Sequence, residues 1–270
     1  MKKILAIVLA VAMIASVAML AGCGSKTADT ASKADADAAN NETAKEKLTM
    51  ATNASFPPYE YKEDGETIIG IDAEIAQAIA DKLNMELEIV DIDFGAIIAG
   101  VQSGKYSMGM AGMTVTEDRL KSVNFSDSYA KGVQVVIVKE DSGIESIDDL
   151  EGKLIGVQLA TTGDIYASDT PENGGFGEEN VEKYSKGAEA VVALTQGKID
   201  AVIIDNEPAK SFVKENEGLK ILDTAYADED YAICFAKDNT ELLDKVNTAL
   251  NELIADGTVA KIVNKYIPAE

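Results

Sequence analysis

The chain has 270 residues, a formal net charge of −23 and no histidine. Without histidine, Ser-His-Asp and Cys-His nucleophiles and imidazole metal sites are excluded. The high negative charge and the lack of a basic tract argue against binding to nucleic acid or to anionic lipid headgroups. We therefore expect no nucleic-acid partner, no metal and no cofactor.

A secretory signal is predicted over residues 1–22. Two lysines near the start precede an apolar run over 4–20, which small residues follow. The run is nearly long enough to span a bilayer, so a transmembrane helix is the alternative. The ending Leu-Ala-Gly-Cys resembles the lipobox of bacterial lipoproteins. This resemblance implies that Cys23 is lipidated and anchors the protein at the extracytoplasmic face of the cell membrane.

Two regions follow the predicted signal. The segment 23–47 contains no large apolar residue and is predicted to be a disordered tether. The remainder, 48–270, is long enough for two modest lobes. Short apolar runs alternate there with amphipathic segments, which is typical of a mostly parallel α/β fold. The loop 169–180, rich in Gly, Pro and Glu, has no role that the pattern indicates.

The predicted elements alternate along the chain. Strands are expected at 48–51, 86–90, 105–110, 133–138, 154–157, 199–204 and 231–235. Helices are expected after Asp72, Thr116, the polar loop 158–164 and Asp205, and at 96–102, 146–150, 188–196, 242–254 and 259–266. We expect Asp72 to cap the first helix, whose Ile75, Ile79 and Leu83 repeat every four residues and form one buried face. Cys234 lies in the apolar run 231–235 and is predicted to be a small buried hydrophobe, with no intrachain disulfide.

Polar loops follow several of these strands, at the edge where a parallel sheet binds its ligand. The two prolines of 53–59 forbid a helix, so this loop is expected to display Asn53 and Phe56. Arg119 falls three residues into a helix that Thr116 caps, and a guanidinium beside free N–H groups can bind a carboxylate. The alternative is an ordinary surface arginine. Asp205 follows an apolar strand, either as a buried ligand for a cation or as a helix cap.

These loops together resemble the polar amino-acid-binding proteins of ABC importers, the extracytoplasmic solute-binding family 3. The resemblance covers about 48–268. The motifs that carry it are Phe56-Pro57-Pro58-Tyr59, Gly70-Ile71-Asp72, Phe94, Ala111-Gly112-Met113-Thr114 with Arg119, Phe125-Ser126, Gly156-Val157-Gln158 with Thr161-Thr162-Gly163, Asp200-Ala201-Val202 with Asp205, and Asp256-Gly257-Thr258.

The resemblance implies an α/β, two-lobed periplasmic-binding-protein-like fold of type II, with the ligand in the cleft between the lobes. Lobe 1 would comprise 48–131 plus 232–270, and lobe 2 would comprise 132–231. Hinge strands are expected near 129–133 and 228–232. The protein would be a monomer that captures a free amino acid and delivers it to the membrane permease of an ABC importer.

The resemblance also implies roles for the site residues. Arg119 would bind the ligand carboxylate with backbone N–H groups of Thr114 and Thr162. Asp205 would bind the ammonium group, helped by the Gly112 carbonyl and the Thr114 hydroxyl. Phe56 and Phe94 would sandwich the side-chain stem, although core packing is the alternative for both. The full predicted set is Asn53, Phe56, Phe94, Ala111, Gly112, Thr114, Arg119, Gln158, Thr161, Thr162 and Asp205.

The ligand side chain is predicted less directly. Asn53 and Gln158 donate and accept hydrogen bonds without a formal charge, which suits an amide or a guanidinium. A lysine ammonium needs a desolvated carboxylate, and only Asp205 matches a pocket-lining position. Glutamine or arginine is therefore expected ahead of lysine. Gly-Val-Gln with Ala-Thr-Thr-Gly resembles arginine-type members of the family, whereas Ala111-Gly112 resembles glutamine-type members.

Two other functions use the same fold. A sensory or adhesive lipoprotein would bind a ligand without delivering it. A dehydratase-type enzyme would need an acid aimed into the cleft. The candidate acids Glu60, Glu117 and Asp118 are expected to point outward, so the sequence predicts a binding protein and not an enzyme.

Overall fold

The computed structural model describes residues 45–223 and 225–268. The predicted signal, Cys23 and almost all of the predicted tether lie outside the described residues. Lys47, the last residue of that tether, already belongs to the first strand. Within 45–223 and 225–268, each helix is too short or too polar to span a lipid bilayer.

Five strands form the first sheet, in the spatial order β5-β1-β6-β14-β7. They are β1 (Lys47–Thr52), β5 (Glu86–Asp91), β6 (Met108–Gly109), β7 (Val123–Phe125) and β14 (Cys234–Ala236). β1 pairs in parallel with β5 and β6, whereas β14 runs antiparallel to β6 and β7. Because β14 comes from the far end of the sequence, the C-terminal segment completes this sheet.

Six strands form the second sheet, in which β10-β9-β11-β8-β12 are successive neighbours and β13 also pairs with β8. They are β8 (Ala130–Lys139), β9 (Ile155–Gln158), β10 (Val181–Tyr184), β11 (Ala201–Asp205), β12 (Leu219–Ile221) and β13 (Ala227–Tyr231). β9, β10 and β11 are parallel, and β8 is antiparallel to its neighbours. Both sheets are therefore mixed.

A small third sheet has three strands, of which the first two form a hairpin. Its first strand lies in the segment 53–59, which was predicted as a loop. The sheet consists of β2 (Ser55–Phe56), β3 (Glu60–Lys62) and β4 (Ile68–Ile69). β2 and β3 are antiparallel, and Phe56 lies directly opposite Glu60. Side chains of directly paired residues lie on the same face of a sheet. The hairpin therefore places Glu60 on the same side as Phe56.

Eight α-helices pack around the sheets of the described part. They are α1 (Ile71–Lys82), α2 (Ile97–Gln102), α3 (Glu117–Ser122), α4 (Thr162–Ser168), α5 (Gly187–Thr195), α6 (Asn206–Glu215), α7 (Thr240–Ala255) and α8 (Thr258–Tyr266). Ile75 and Ile79 of α1 are fully buried, as the four-residue repeat predicts. Cys234 is also fully buried, in agreement with its prediction.

The chain passes between the two large sheets twice. β8 leaves the first sheet after β7, and β13 returns through residues 232–233 to β14. The two crossing strands pair with each other, with Tyr231 opposite Ala130 and Ala227 opposite Gln134. Thr114 of the first half also forms an isolated bridge with Tyr231. The two crossings are thus hydrogen-bonded to one another where they leave the second sheet.

Some local predictions are wrong. Asp72 does not cap α1, because Gly70 occupies the N-cap position and the Asp72 side chain is buried inside the fold. The strand predicted over 105–110 shortens to Met108–Gly109. Strands β10 and β12 were not predicted, since they have only four and three residues. The loop 169–180 forms two single-turn 3₁₀ segments, and Phe176 stacks on Tyr226 at 6.1 Å between ring centroids.

Candidate ligand-binding site

The loops at the ends of strands from both large sheets enclose a cavity of about 310 Å³. The residues that line it are Asn53, Phe56, Glu60, Phe94, Ala111, Gly112, Thr114, Arg119, Gln158, Thr161, Thr162 and Asp205. The structure thus brings together every residue of the predicted set. It adds Glu60, which was expected to point outward. That these residues bind a ligand stays a prediction at this point.

Arg119 provides the positive end of the cavity. Thr116 caps α3 by accepting the backbone N–H of Arg119 at 3.2 Å, as predicted. The guanidinium donates from Nη1 to the Thr114 carbonyl at 2.7 Å and from Nη2 to the Ala160 carbonyl at 3.1 Å. Its carbon lies 5.3 Å from the centroid of the Phe94 ring. The side chain is therefore fixed by neutral groups from both sheets.

No acid of the described residues pairs directly with Arg119, although Glu229 and Asp205 are close enough to act on its charge. None of the ion pairs found within residues 45–223 and 225–268 includes this arginine, although only 7% of it is exposed. Burial lowers the pKa of its guanidinium, but an arginine remains charged inside a protein. A buried cation held only by carbonyl groups is a good receptor for a carboxylate.

Asp205 provides a negative end of the cavity. It occupies the N-cap position of α6, yet its side chain makes no capping hydrogen bond. Oδ2 instead accepts from Nε2 of Gln134 at 2.8 Å, and Oδ1 accepts from the hydroxyl of Tyr231. Burial and the negative charge of Glu229 raise the pKa of Asp205 well above its ordinary value. The alternative of a simple helix cap is therefore wrong.

Glu229 is a buried acid that the sequence analysis missed. It lies on β13, is 5% exposed and accepts from Nε2 of Gln134 at 3.0 Å. One amide group therefore donates to both Glu229 and Asp205. A signal for its burial was available in the sequence. Residues two apart share a face of a strand, and Glu229 is two residues before Tyr231, whose ring is buried.

Glu60 is buried against the cavity, so the prediction that it points outward is wrong. It is 1% exposed, and its carboxyl group is hydrogen-bonded to that of Asp72. Burial and the negative charge of Asp72 raise the pKa of Glu60 well above its ordinary value. Glu117 and Asp118 are exposed, as predicted. The hairpin explains the error, because it pairs Glu60 with Phe56 and was not recognised in the sequence.

Asp72 lies between Glu60 and the backbone of Gly112. Its Oδ2 accepts from the Gly112 N–H at 2.9 Å and from the Tyr129 hydroxyl at 2.9 Å. Burial raises the pKa of Asp72 to about 6, although both donors oppose the rise. Gly112 has a φ of 51°, which favours glycine. Asp72 therefore holds the loop that presents the Gly112 carbonyl to the cavity.

Asn53 and Gln158 line the cavity but also join the two sheets. Nε2 of Gln158 donates to Oδ1 of Asn53 at 3.0 Å, and Nδ2 of Asn53 donates to the Ile92 carbonyl at 2.8 Å. Ser55 donates to the same Oδ1 at 2.9 Å. The protein thus uses Oδ1 of Asn53 twice and one of the two hydrogens of its Nδ2. Asn53 shapes the wall between the sheets more than it offers free polar groups.

The chain is similar to proteins of a known family. The model of the bacterial extracellular solute-binding proteins, family 3, matches residues 48–269. The arginine-binding extracellular protein ArtP of Bacillus subtilis is 37% identical over 233 residues, which cover 85% of this chain and 89% of that protein.

Two solved structures of an ancestral arginine-binding protein are also similar. The one bound to arginine is 41% identical, with a TM-score of 0.75, and covers 82% of this chain and 97% of its own. The one bound to glutamine is 39% identical, with a TM-score of 0.75, and covers 83% of this chain and 98% of its own. The predicted fold class and family resemblance are confirmed: the chain belongs to family 3 of the bacterial extracellular solute-binding proteins.

Proposed function

We propose that this solute-binding protein captures arginine and delivers it to the permease of an ABC importer. The observation that carries the choice of arginine is Glu60, whose carboxyl group is buried on the cavity wall. A guanidinium needs such a partner once it is desolvated. The names of the similar proteins, which bind arginine, support the same choice.

The backbone of the ligand would bind as the sequence analysis expects. Arg119 would take the α-carboxylate with the N–H groups of Thr114 and Thr162. Asp205 would take the α-ammonium with the Gly112 carbonyl. Because the two charges of a zwitterion then meet opposite charges on the two sheets, the ligand joins both halves of the molecule.

Calorimetric titration with arginine, glutamine, lysine and glutamate tests the proposal. We expect arginine to bind most tightly and glutamate not to bind, because two buried acids, Glu60 and Asp205, line the cavity. Glu60→Gln should weaken arginine binding by about 30-fold or more, since removing one partner of a desolvated charge pair typically costs about 2–5 kcal/mol. Glu63→Gln is the matched control, because Glu63 is exposed beside the same hairpin. Unchanged arginine affinity in Glu60→Gln would refute the assignment.

We further propose that ligand binding closes two lobes about β8 and β13, with lobe 1 from 48–131 plus 232–270 and lobe 2 from 132–231. The contacts of Gln158 with Asn53 and of Arg119 with the Ala160 carbonyl cross from one sheet to the other. A ligand that touches both sheets favours the form in which these contacts exist. Small-angle scattering of the monomer should give a smaller radius of gyration with arginine, and an unchanged radius at saturation would contradict closure.

The protein would act as a receptor and not as an enzyme, although Glu60 is the inward acid that a dehydratase would need. The support is the match to a family of binding proteins over 48–269. Nuclear magnetic resonance of arginine incubated with the protein should show the amino acid unchanged. Loss of the arginine signals would favour catalysis.

Membrane anchoring through Cys23 is part of the same proposal. Its support is the Leu-Ala-Gly-Cys sequence that ends the predicted signal. Labelling cells with palmitate should mark the wild-type protein and leave Cys23→Ser unlabelled. Equal labelling of the two proteins would contradict lipidation at this residue.

A further inference from the structure

Two buried acid pairs lie beside the cavity. Glu60 is hydrogen-bonded to Asp72, and Asp205 is hydrogen-bonded to Glu229. Within the described part of the chain, no donor group reaches Oε2 of Glu60, Oδ1 of Asp72 or Oε1 of Glu229. A buried acceptor without a donor is costly, and two carboxylates in contact repel each other. A proton held within each pair removes both penalties.

In the Glu60–Asp72 pair, the first proton belongs on Glu60. Asp72 already accepts hydrogen bonds from Gly112 and Tyr129, and donors of this kind favour its ionised form. Glu60 lines the cavity, so it is the member that meets the ligand. Burial raises the pKa of both acids, to about 6 for Asp72 and well above the ordinary value for Glu60. The pair can therefore hold one or two protons within the range in which proteins are stable.

The groups that face Glu60 offer it no free cation. Asp72 of α1, Asp91 of β5 and Asp205 of β11 each add negative charge. Asp91 is itself paired with Lys62 at 2.7 Å. The hydroxyl groups of Tyr59 and Tyr129 lie in the same region, and burial together with the charge of Asp72 raises the pKa of both. The charge that Glu60 experiences is therefore set by Asp72 and by the ligand.

A charge count relates these protons to the ligand. With one proton in each acid pair, the pairs contribute two negative charges and Arg119 contributes one positive charge, which leaves one net negative charge. Arginine carries one net positive charge and neutralises the site. Citrulline and glutamine have no net charge and leave the negative charge buried, which is unfavourable unless another proton is taken up.

We propose that the Glu60–Asp72 pair carries one proton when arginine is bound and two protons when a neutral amide or urea side chain is bound. The additional proton comes from solvent and occupies the second carboxyl group, so no other bond changes. A bound guanidinium draws the single proton from Glu60 onto Asp72, whose Oδ1 has no donor among the described residues, so that Glu60 faces the guanidinium as an anion. With two protons in the pair, Glu60 donates a hydrogen bond to the carbonyl oxygen of a neutral side chain. Solution pH thereby sets which side chain the cavity prefers. The inference rests on the proposed binding of an amino acid in this cavity.

Titration calorimetry of arginine and citrulline tests the inference. The two ligands have the same shape and the same α-carboxylate and α-ammonium groups, so titration of Asp205 affects both equally. Measurements in buffers of different ionisation heat, from pH 5 to pH 8, count the protons bound with each ligand. Citrulline should take up more protons than arginine, by about one at most, and the citrulline-to-arginine ratio of Kd should rise by up to about tenfold per pH unit.

Three variants complete the test. Glu60→Gln and Asp72→Asn should each abolish the difference in proton uptake and flatten the Kd ratio against pH, because a single remaining acid cannot hold the second proton. Glu63→Gln should behave as the wild type, and circular dichroism should show all three folded. Equal proton uptake for both ligands in the wild type would overturn this inference alone. Failure of both ligands to bind would overturn it together with the proposed function.

Discussion

The positive and negative ends of the cavity are built in different ways. Arg119 is one fully charged group whose hydrogen bonds go to the neutral carbonyls of Thr114 and Ala160. The negative ends are two acid pairs, in which burial and like charge raise the pKa of Asp205, Glu60 and Asp72. The positive end therefore keeps its charge at every physiological pH. The negative ends adjust their charge by holding protons.

The reason for the difference lies in the chemistry of the side chains. A guanidinium cannot lose its proton inside a protein, so carbonyl dipoles must solvate it. A buried carboxylate can reduce its cost of burial by binding a proton. Because the charge of Arg119 is permanent, a ligand needs a carboxylate at every pH. The charge of the ligand side chain then becomes the variable part of recognition.

Removing the fixed charge should have the largest effect. Arg119→Met keeps the apolar stem against Phe94 but leaves the ligand carboxylate unpaired, which should weaken binding by about 2–5 kcal/mol. Isothermal titration calorimetry measures the change. Lys121→Met is the matched control, because Lys121 is on the exposed side of the same helix. A folded Arg119→Met with wild-type affinity would show that the positive end does not bind the carboxylate.

The acid pair on the first sheet should make unfolding depend on pH in a defined direction. The native pKa of Asp72 is about 6, above the ordinary value of about 3.9, so the native state binds more protons than the unfolded state between these values. Stability from this group is present below about pH 4 and is lost as the pH rises through 6, by about 3 kcal/mol. Urea unfolding of ligand-free wild type and Asp72→Asn at pH 4.5 and 7.5 should show a larger loss in the wild type, because the other buried acids titrate in both proteins. An equal pH dependence in both proteins would contradict it.

Gly132→Ala in β8 should disturb the Asp205–Glu229 pair without changing any charge. A Cβ atom at Gly132 would lie 2.2 Å from the Tyr231 hydroxyl, which donates to Asp205. Because Tyr231 is fully buried and cannot move away freely, Gly132→Ala should destabilise the fold by about 1–3 kcal/mol and weaken ligand binding. Thermal unfolding and calorimetry measure the two effects. Tyr231→Phe removes the hydroxyl without crowding, so it should reproduce the binding loss with less destabilisation, and intact binding in both variants would separate Tyr231 from the negative end.

The smallest effect is expected at Ala160, whose backbone carbonyl accepts a hydrogen bond from Arg119. Ala160 has a φ of 66°, which is unfavourable for a residue with a Cβ atom, and its carbonyl accepts from Arg119. Ala160→Gly should stabilise the protein by about 1 kcal/mol or less and keep ligand affinity. Asn84→Gly is the control, since Asn84 has a φ of 54° far from the cavity and asparagine tolerates this conformation. Destabilisation of Ala160→Gly in thermal unfolding would show that strain is absent.

The sequence by itself determined the parts of this protein that depend on local pattern and on motif order. The alternation of apolar runs and amphipathic segments predicts the strands and helices of an α/β fold, because burial on one face imposes a fixed period. The order of Phe56, Thr114, Arg119, Gln158 and Asp205 along the chain predicts their meeting in one cavity, because each follows a strand whose end faces the ligand edge.

Only the tertiary structure decided which acids face the cavity. Glu60 looks like a surface residue until the short hairpin pairs it with Phe56, and Glu229 looks like part of an exposed acidic run until β13 alternates beside β8. Asp72 resembles a helix cap until Gly112 and Tyr129 arrive from distant segments. The partners of Asp72 lie 40 and 57 positions away in the sequence, and Gln134, the partner of Glu229, lies 95 positions away. Contacts of that range cannot be identified from local pattern, whereas Glu60 depends on recognising one short hairpin.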